Sequence, residues 1–294
     1  MKQYLAHVAL FAVAMIYAFN YFIAKDLFSE IGPLGVVSIR AMSAVVFFWI
    51  IQVVWIREKI QSRQDYLRLF LCGMLGISLN QIFFFSGLAR TLQVNASVLM
   101  TTTPVFVFLI GFVMRVEKIN ALKVFGLILA CFSAVMLILG GRELSFNQQT
   151  LTGDLMVIFN ASVYGLYLIV VKPLVAKYSP LTIMVWVFTF GSLLNIPLGI
   201  PELMAVDAAS LSASALWSVA YVVFFTTICV YSFNAFALQS VPPSIASIYI
   251  YLQPVMVSVL AFFLLEEGVS VEELIYIAMV LTGVYLVSYK KRPN

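Results

Sequence analysis

Charged residues are scarce in this chain, and they make up only 10% of its 294 residues. A soluble domain carries roughly 25% charged residues, so this scarcity excludes a soluble globular protein. Hydrophobic residues instead account for 63% of the chain, and the mean hydropathy is +1.04. The composition therefore predicts a polytopic membrane protein that lies in a lipid bilayer.

Cysteine and histidine are nearly absent as well. The three cysteines, Cys72, Cys131 and Cys229, fall within apolar stretches, and their scatter fits neither a disulfide framework nor a metal site. The single histidine, His7, stands near the start of the first apolar stretch, which does not favour a proton relay. Since no nucleophile is paired with a base either, we expect no enzyme activity, no metal and no cofactor.

Ten apolar stretches are long enough to cross the hydrocarbon core, which takes roughly 20 residues. They cover residues 4–24, 34–56, 66–88, 94–114, 121–140, 153–171, 181–200, 213–238, 243–265 and 271–289. The short connections predict antiparallel neighbours in a compact all-α bundle with no soluble domain. Pro33 and Pro180 suit first helical positions, and Ser270 with Glu273 forms a capping-box pattern.

Lys and Arg gather in every second connection between the predicted spans. With the N-terminus in the cytoplasm, most of the 17 basic residues fall in cytoplasmic segments, including residues 57–68 and 290–292. Cytoplasmic loops carry an excess of Lys and Arg, so we predict a multi-pass protein of the cell inner membrane with both termini in the cytoplasm. The net charge of +4 reflects this bias, and we infer no nucleic-acid binding from it.

The chain contains an internal duplication. Residues 89–139 lie over residues 239–289 at a constant offset of 150, and this overlay pairs Pro104 with Pro254. Further identical pairs are Ala96 with Ala246, Ser97 with Ser247, Phe112 with Phe262 and Glu117 with Glu267. An odd number of spans separates the copies, so the two copies are expected to have opposite orientations in the membrane.

A second overlay extends the duplication to the start of each half. Residues 14–34 lie over residues 161–181 at an offset of 147. We therefore predict two inverted five-helix repeats, at residues 1–145 and 146–294. Inverted repeats recur in secondary transporters, which hold the substrate near the midplane where the repeats meet.

Short motifs in both halves resemble the drug/metabolite transporter superfamily, and in particular its ten-helix EamA group. The resemblance covers nearly the whole chain and rests on Ala18-Phe19-Asn20-Tyr21-Phe22, Lys25, Pro33, Arg40, Gly73, Asn80-Gln81, Ala89, Ala96-Ser97, Pro104, Glu117, Gly126, Pro254 and Glu267. It implies export or exchange of small metabolites by alternating access. Known members handle amino acids, including aromatic ones, and other small molecules.

The chain departs from small multidrug-resistance relatives in one respect. Those relatives carry a membrane-embedded Glu in the first helix, and the similar place here is near Tyr17. No Asp or Glu lies in the middle of any predicted span. This weakens cationic-drug transport and carboxylate-coupled proton antiport, and it favours a facilitator or an exchanger coupled in another way.

Two prolines lie near the centres of the fourth and ninth predicted spans. Pro104 and Pro254 each remove a backbone hydrogen bond to the carbonyl four residues earlier. Polar side chains flank both sites: Thr102, Thr103, Tyr249, Tyr251 and Gln253. We expect either a packing kink or a broken helix that lines a substrate cavity.

Further polar residues lie at depth in four other spans. They are Tyr17, Asn20, Asn80, Gln81, Tyr164, Tyr167, Tyr231 and Asn234. Each alone can bond a neighbouring helix, whereas as a set they can line the cavity. Uncharged amides both donate and accept hydrogen bonds, which suits zwitterionic or neutral polar substrates.

Three charged residues are candidates for gating or for helix ends. Arg40 lies inside the second span, where outward extension toward Asp26 or Glu30 is favoured over binding of a substrate carboxylate. Glu117 and Glu267 precede the fifth and tenth spans, where they either cap helix N-termini or latch loops during transport.

These features together predict a secondary transporter, an exporter or exchanger of small metabolites with amino acids favoured. We expect it to work as a monomer through a central cavity. A passive channel or facilitative pore is the alternative, because a sequence gives no pore radius.

Overall fold

The computed structural model describes residues 2–23, 27–116, 120–139, 150–207, 211–265 and 270–288. Ten helices in these ranges are long and apolar enough to cross a membrane: α1 (Lys2–Asn20), α2 (Pro33–Ile56), α3 (Arg63–Leu88), α4 (Asn95–Val113), α5 (Ala121–Leu139), α6 (Leu151–Val175), α7 (Pro180–Ala205), α8 (Ala213–Ser240), α9 (Pro243–Leu260) and α10 (Val271–Ser288). The predicted fold class is confirmed. The division at residue 145 stays a prediction, because residues 140–149 lie outside the described ranges.

Local sequence sets where several helices begin. Helices α2 and α7 start at Pro33 and Pro180, where the missing backbone N–H of proline costs nothing. At the start of α10, Ser270 N donates to Glu273 Oε2 at 2.7 Å and Glu273 N donates to Ser270 Oγ at 3.1 Å. The capping box predicted there is confirmed.

The two repeats interlock through equivalent helices. Helix α2 packs against α7, and α5 packs against α10. Glycines permit the second contact, since a Cβ atom on Gly126 would lie 2.9 Å from the Gly283 carbonyl oxygen. Close approach through small residues is a usual way for helices to associate in lipid.

Helices α4 and α9 are interrupted shortly before their prolines. Regular helix covers Gln93–Met100 and resumes at Thr103–Val113. In α9, a 3-10 turn at Tyr249–Tyr251 joins Pro243–Ile248 to Leu252–Leu265. Both interruptions fall where a mid-helix proline leaves carbonyl groups without their intrahelical donor.

The largest apolar core fills one half of the bundle. We call the end that holds residues 2 and 288 the terminal end, and the opposite end the distal end. Leu10, Phe48, Leu69, Phe188 and Leu238 are buried together toward the terminal end. The rings of Phe48 and Phe188, from equivalent helices of the two repeats, stack with centroids 5.5 Å apart. The terminal half is therefore closely packed.

Candidate substrate-binding cavity

A cavity of about 440 Å³ lies between the two repeats. Helices α1, α2, α3 and α4 of the first repeat line it together with α6, α8 and α9 of the second. Leu27, Leu88 and Thr91 border it at the distal end, while Leu10 and Leu168 border its deepest part. The cavity thus reaches toward the distal end and stops at the packed core of the terminal half.

Nine of the thirteen polar residues proposed from the sequence border this cavity. They are Tyr17, Asn20, Asn80, Gln81, Tyr164, Tyr231, Asn234, Tyr249 and Gln253. Their hydroxyl and amide groups are accompanied by apolar surface from Phe84, Phe85 and Met100. A mostly apolar pocket with a few convergent polar groups is the usual form of a small-molecule site.

Four proposed residues point elsewhere. The Thr102 hydroxyl donates to the Leu99 carbonyl at 2.6 Å, and the Tyr251 hydroxyl donates to the Thr101 carbonyl at 2.9 Å. Thr103 is fully buried, and Tyr167 lies in the apolar core with its ring against Gly76. The hydroxyls of Thr102 and Tyr251 thus bond backbone carbonyls, and none of the four residues borders the cavity.

The two prolines do not border the cavity themselves. Residues just before them do, namely Met100 in α4 and Ile250 and Gln253 in α9. The interruptions therefore shape the wall, while the proline rings pack away from it. Glu117 and Glu267 lie outside the described residues.

Several lining residues were not selected from the sequence. Asn160 lies one turn before Tyr164 on the same face of α6, a spacing that could have revealed it. Ser97 and Ser247 are an identical pair in the repeat overlay and both border the cavity. Thr226 of α8 had no such signal.

Arg40 is oriented differently from the expectation. Its Nε donates to the Thr227 hydroxyl at 2.8 Å, and Nη2 donates to the Thr226 carbonyl at 3.4 Å. Glu30 instead bonds Ser212: the backbone N and the Oγ of Ser212 donate to the Glu30 carboxylate at 2.9 and 2.6 Å. Arg40 therefore does not extend to Glu30, because two threonines of α8 offer acceptors within the bundle; Asp26, the other expected partner, lies outside the described residues.

Amides and tyrosines in the cavity wall form a partly satisfied network. Gln81 Nε2 donates to the Tyr231 hydroxyl at 3.3 Å, and that hydroxyl donates to the Gly76 carbonyl at 3.3 Å. Asn160 Nδ2 donates to the Asn80 carbonyl at 2.5 Å. Within the described part of the chain, Gln81 Oε1 and Asn160 Oδ1 are enclosed without a donor. These two oxygens can accept hydrogen bonds only after their side chains rotate, because both are enclosed in the wall.

Contacts between the repeats close the terminal end. The Lys177 ammonium and the Tyr178 hydroxyl donate to Asp65 at 3.1 and 2.8 Å. Burial raises the pKa of the Tyr178 hydroxyl, and the Asp65 contact adds to the effect. Glu58 Oε2 accepts from Ser179 N at 2.9 Å, at the start of α7. First-repeat acceptors therefore hold the chain around the start of α7.

An equivalent arrangement lies at the distal end. Glu202 Oε2 of α7 accepts from Gly35 N at 2.8 Å, in the first turn of α2. Hydrogen bonds from Ser212 hold the pKa of the Glu30 carboxyl below its ordinary value. Each repeat thus supplies a carboxylate to the helix start of the other, where the N–H groups lack intrahelical acceptors.

Comparisons with known proteins agree with this fold. The profile of the EamA-like transporter family matches residues 4–139 and 151–289. An uncharacterised transporter of Archaeoglobus fulgidus is 24% identical over 288 residues, which is 97% of this chain and 98% of that protein. A crystal structure matches with a TM-score of 0.77 at 14% identity, over 96% of this chain and 98% of its own.

A further relative carries a more specific description. A Streptantibioticus cattleyicolor protein described as a probable terminal-alkyne amino-acid exporter is 28% identical over 219 residues, 74% of this chain and 71% of its own length. The two stretches matched by the family profile correspond to the two five-helix repeats. This chain therefore belongs to the EamA-like transporter family of the drug/metabolite transporter superfamily, and it is a multi-pass membrane transporter, not an enzyme.

Proposed function

We propose that the protein is a secondary carrier that exports or exchanges small amphipathic metabolites, with amino acids favoured, by alternating access. The observation that carries this proposal is the cavity of about 440 Å³, which takes its walls from both repeats and ends at a packed core. Small-molecule sites span roughly 300 to 1,000 Å³. A cavity closed on one side suits a carrier better than a continuous pore.

Amino acids fit the chemistry of the cavity wall. Gln81 Oε1 and Asn160 Oδ1 lack donors among the described residues, and rotation of these side chains during closure would turn the oxygens toward the ammonium group of a bound amino acid. Phe84, Phe85 and Tyr164 offer surface for an apolar side chain. The description of the Streptantibioticus relative as an amino-acid exporter supports the same substrate class.

The proposed orientation places the terminal end in the cytoplasm. Arg57, Lys59, Arg63 and Arg68 gather there, as cytoplasmic loops of inner-membrane proteins do. The cavity then faces the outside in this conformation. Because one chain supplies both repeats, a monomer is sufficient for transport.

Two sets of contacts supply the two states of the cycle. In the proposed cycle, the Asp65 and Glu58 contacts at the terminal end break when the cavity opens to the cytoplasm. Inward movement of the distal segments around Leu27 and Thr91 then covers the substrate. Among the residues that the structure describes, no Asp or Glu lines the cavity, which favours exchange or facilitated transport over carboxylate-coupled proton antiport.

Counterflow in proteoliposomes tests the proposal. Vesicles are loaded with an unlabelled amino acid, and uptake of the labelled form of that amino acid is followed with and without a pH gradient. For at least one member of a panel of amino acids, we expect transient accumulation of the label. Gln253→Ala and Asn234→Ala should reduce the flux, whereas Thr282→Ala, at an exposed site on α10, should not. Equilibration without transient accumulation would indicate a passive channel instead.

A further inference from the structure

Arg40 is the only charged residue that borders the cavity within the described part of the chain. Its side chain is 7% exposed, and its guanidinium stays charged at any physiological pH. No carboxylate of the described residues forms an ion pair with it, and its hydrogen bonds go to the hydroxyl of Thr227 and the carbonyl of Thr226. Among the described residues, no carboxylate therefore compensates this positive charge at the cavity.

The guanidinium is held in place while part of it stays available. Nε and Nη2 are anchored to α8, and the central carbon lies 5.6 Å from the centroid of the Phe85 ring on α3. Nη1 makes no hydrogen bond to a described residue. Its N–H groups are therefore not used by the described residues, beside the cavity that Arg40 borders.

Isolated buried charges are retained in membrane proteins mainly where a partner or a substrate compensates them. A planar guanidinium fixed at one edge offers its remaining N–H groups to a carboxylate, which accepts charge-assisted hydrogen bonds. Phe85, beside the guanidinium, is one turn beyond Gln81 on the same face of α3, so Arg40 and Gln81 both border the part of the cavity next to this face.

We propose that Arg40 binds the carboxylate of the transported molecule and thereby selects carboxylate-bearing amphipathic substrates over their neutral or cationic analogues. This inference rests on the proposed function, because it assigns a specificity residue to the same cavity. It predicts that removing the substrate carboxylate and removing the arginine both slow the exchange, to a similar extent.

Counterflow with matched pairs of compounds tests the assignment. L-Phenylalanine, L-leucine and L-threonine are each compared with their α-carboxamides, which keep the side chain and the amine but lack the carboxylate. The wild type should exchange at least one amino acid about tenfold or more faster than its amide. Arg40→Gln should bring that ratio close to one, mainly through slower exchange of the amino acid.

Two further variants separate recognition from folding. Arg90→Gln removes an exposed distal arginine that bonds the Ser86 carbonyl and should leave the ratio unchanged. Arg40→Lys keeps the positive charge but lacks the planar guanidinium, and it should give an intermediate ratio. If thermal unfolding shows that Arg40→Gln does not fold, the ratio of Arg40→Lys tests the role of Arg40 instead. A wild-type ratio near one, or an unchanged ratio in the Arg40 variants, overturns the assignment. Absence of exchange for every compound would instead contradict the proposed function itself.

Discussion

Gln81 and Tyr231 occupy equivalent positions in the two repeats, 150 residues apart, and hydrogen-bond each other at 3.3 Å. Thr101 and Tyr251 form a second such pair, with 2.9 Å between the Tyr251 hydroxyl and the Thr101 carbonyl oxygen. Residues that contact their own counterparts must lie close to the axis that relates two repeats. The pseudo-two-fold axis therefore passes beside the cavity wall, where Gln81 and Tyr231 are lining residues.

Tyr231→Phe should weaken the contact between the repeats. The change removes a donor to the Gly76 carbonyl and an acceptor for the Gln81 amide, and we expect a loss of about 1 kcal/mol in unfolding free energy. Thermal unfolding in detergent measures the loss. Tyr4→Phe, at an exposed site, is the control and should change nothing. Equal stability of wild type and Tyr231→Phe would show that this contact contributes nothing to the fold.

Asp65→Asn should loosen the terminal end. The neutral amide loses its ion pair with Lys177 and weakens the bond from Tyr178, so the terminal end is expected to open more often. Hydrogen–deuterium exchange should rise in residues 57–64 and 176–182. Lys177→Gln should act in the same direction but less, because the Lys177 side chain is 53% exposed and exposed ion pairs contribute little.

The same hydrogen–deuterium exchange experiment tests whether opening of the terminal end is coupled to closure of the distal end. If opening of the terminal end accompanies closure of the distal end, exchange in residues 27–36 should fall in the Asp65→Asn protein. Increased exchange at both ends would indicate local unfolding instead of a change of state.

The Glu30 contact should depend on pH in a defined direction. The pKa of Glu30 is lowered from 4.5 by its bonds with Ser212, so this contact contributes stability at pH values above 4.5 and loses it as the pH falls through the lowered pKa. The wild type should unfold at higher temperature than Glu30→Gln near pH 7. The two curves should converge below about pH 4. A difference that persists in acid would show that the carboxylate charge is not responsible.

Gly126→Ala tests the close contact of α5 with α10. The added methyl group would lie 2.9 Å from the Gly283 carbonyl oxygen, so the helices must shift and we expect a loss of about 1 to 3 kcal/mol. Gly111→Ala is a matched control, because its nearest new contact is at 3.8 Å. Thermal unfolding of both proteins checks the prediction. Similar stability of the two variants would contradict this packing.

The ten spans and the repeats could be predicted because hydropathy and internal identity are properties of the sequence itself. The depth of a residue within a span can also be estimated from the sequence, and Tyr17, Asn80 and Gln253, proposed on that basis, border the cavity; their role in substrate binding stays a prediction. The sequence did not show which direction each side chain faces around its helix axis. Tyr251 lies at the right depth but faces Thr101 of the other repeat.

The orientation of Arg40 shows the same limit more clearly. A long side chain on α2 can reach outward or inward, and nothing near residue 40 in the sequence distinguishes the two. The acceptors that hold it inward, Thr226 and Thr227, come from α8 almost two hundred residues later. Only the packing of α2 beside α8 settles the direction.

Thiol labelling from both sides of the membrane tests whether the cavity opens alternately to each side. Ala246, deep in the cavity, is changed to Cys in a protein whose Cys72, Cys131 and Cys229 are replaced by Ser, and an impermeant thiol reagent is applied from each side of oriented vesicles. Alternating access predicts labelling from either side, with an exchanged amino acid shifting the balance between the sides. Labelling from one side under every condition, or a reagent that passes straight through the protein, would contradict it.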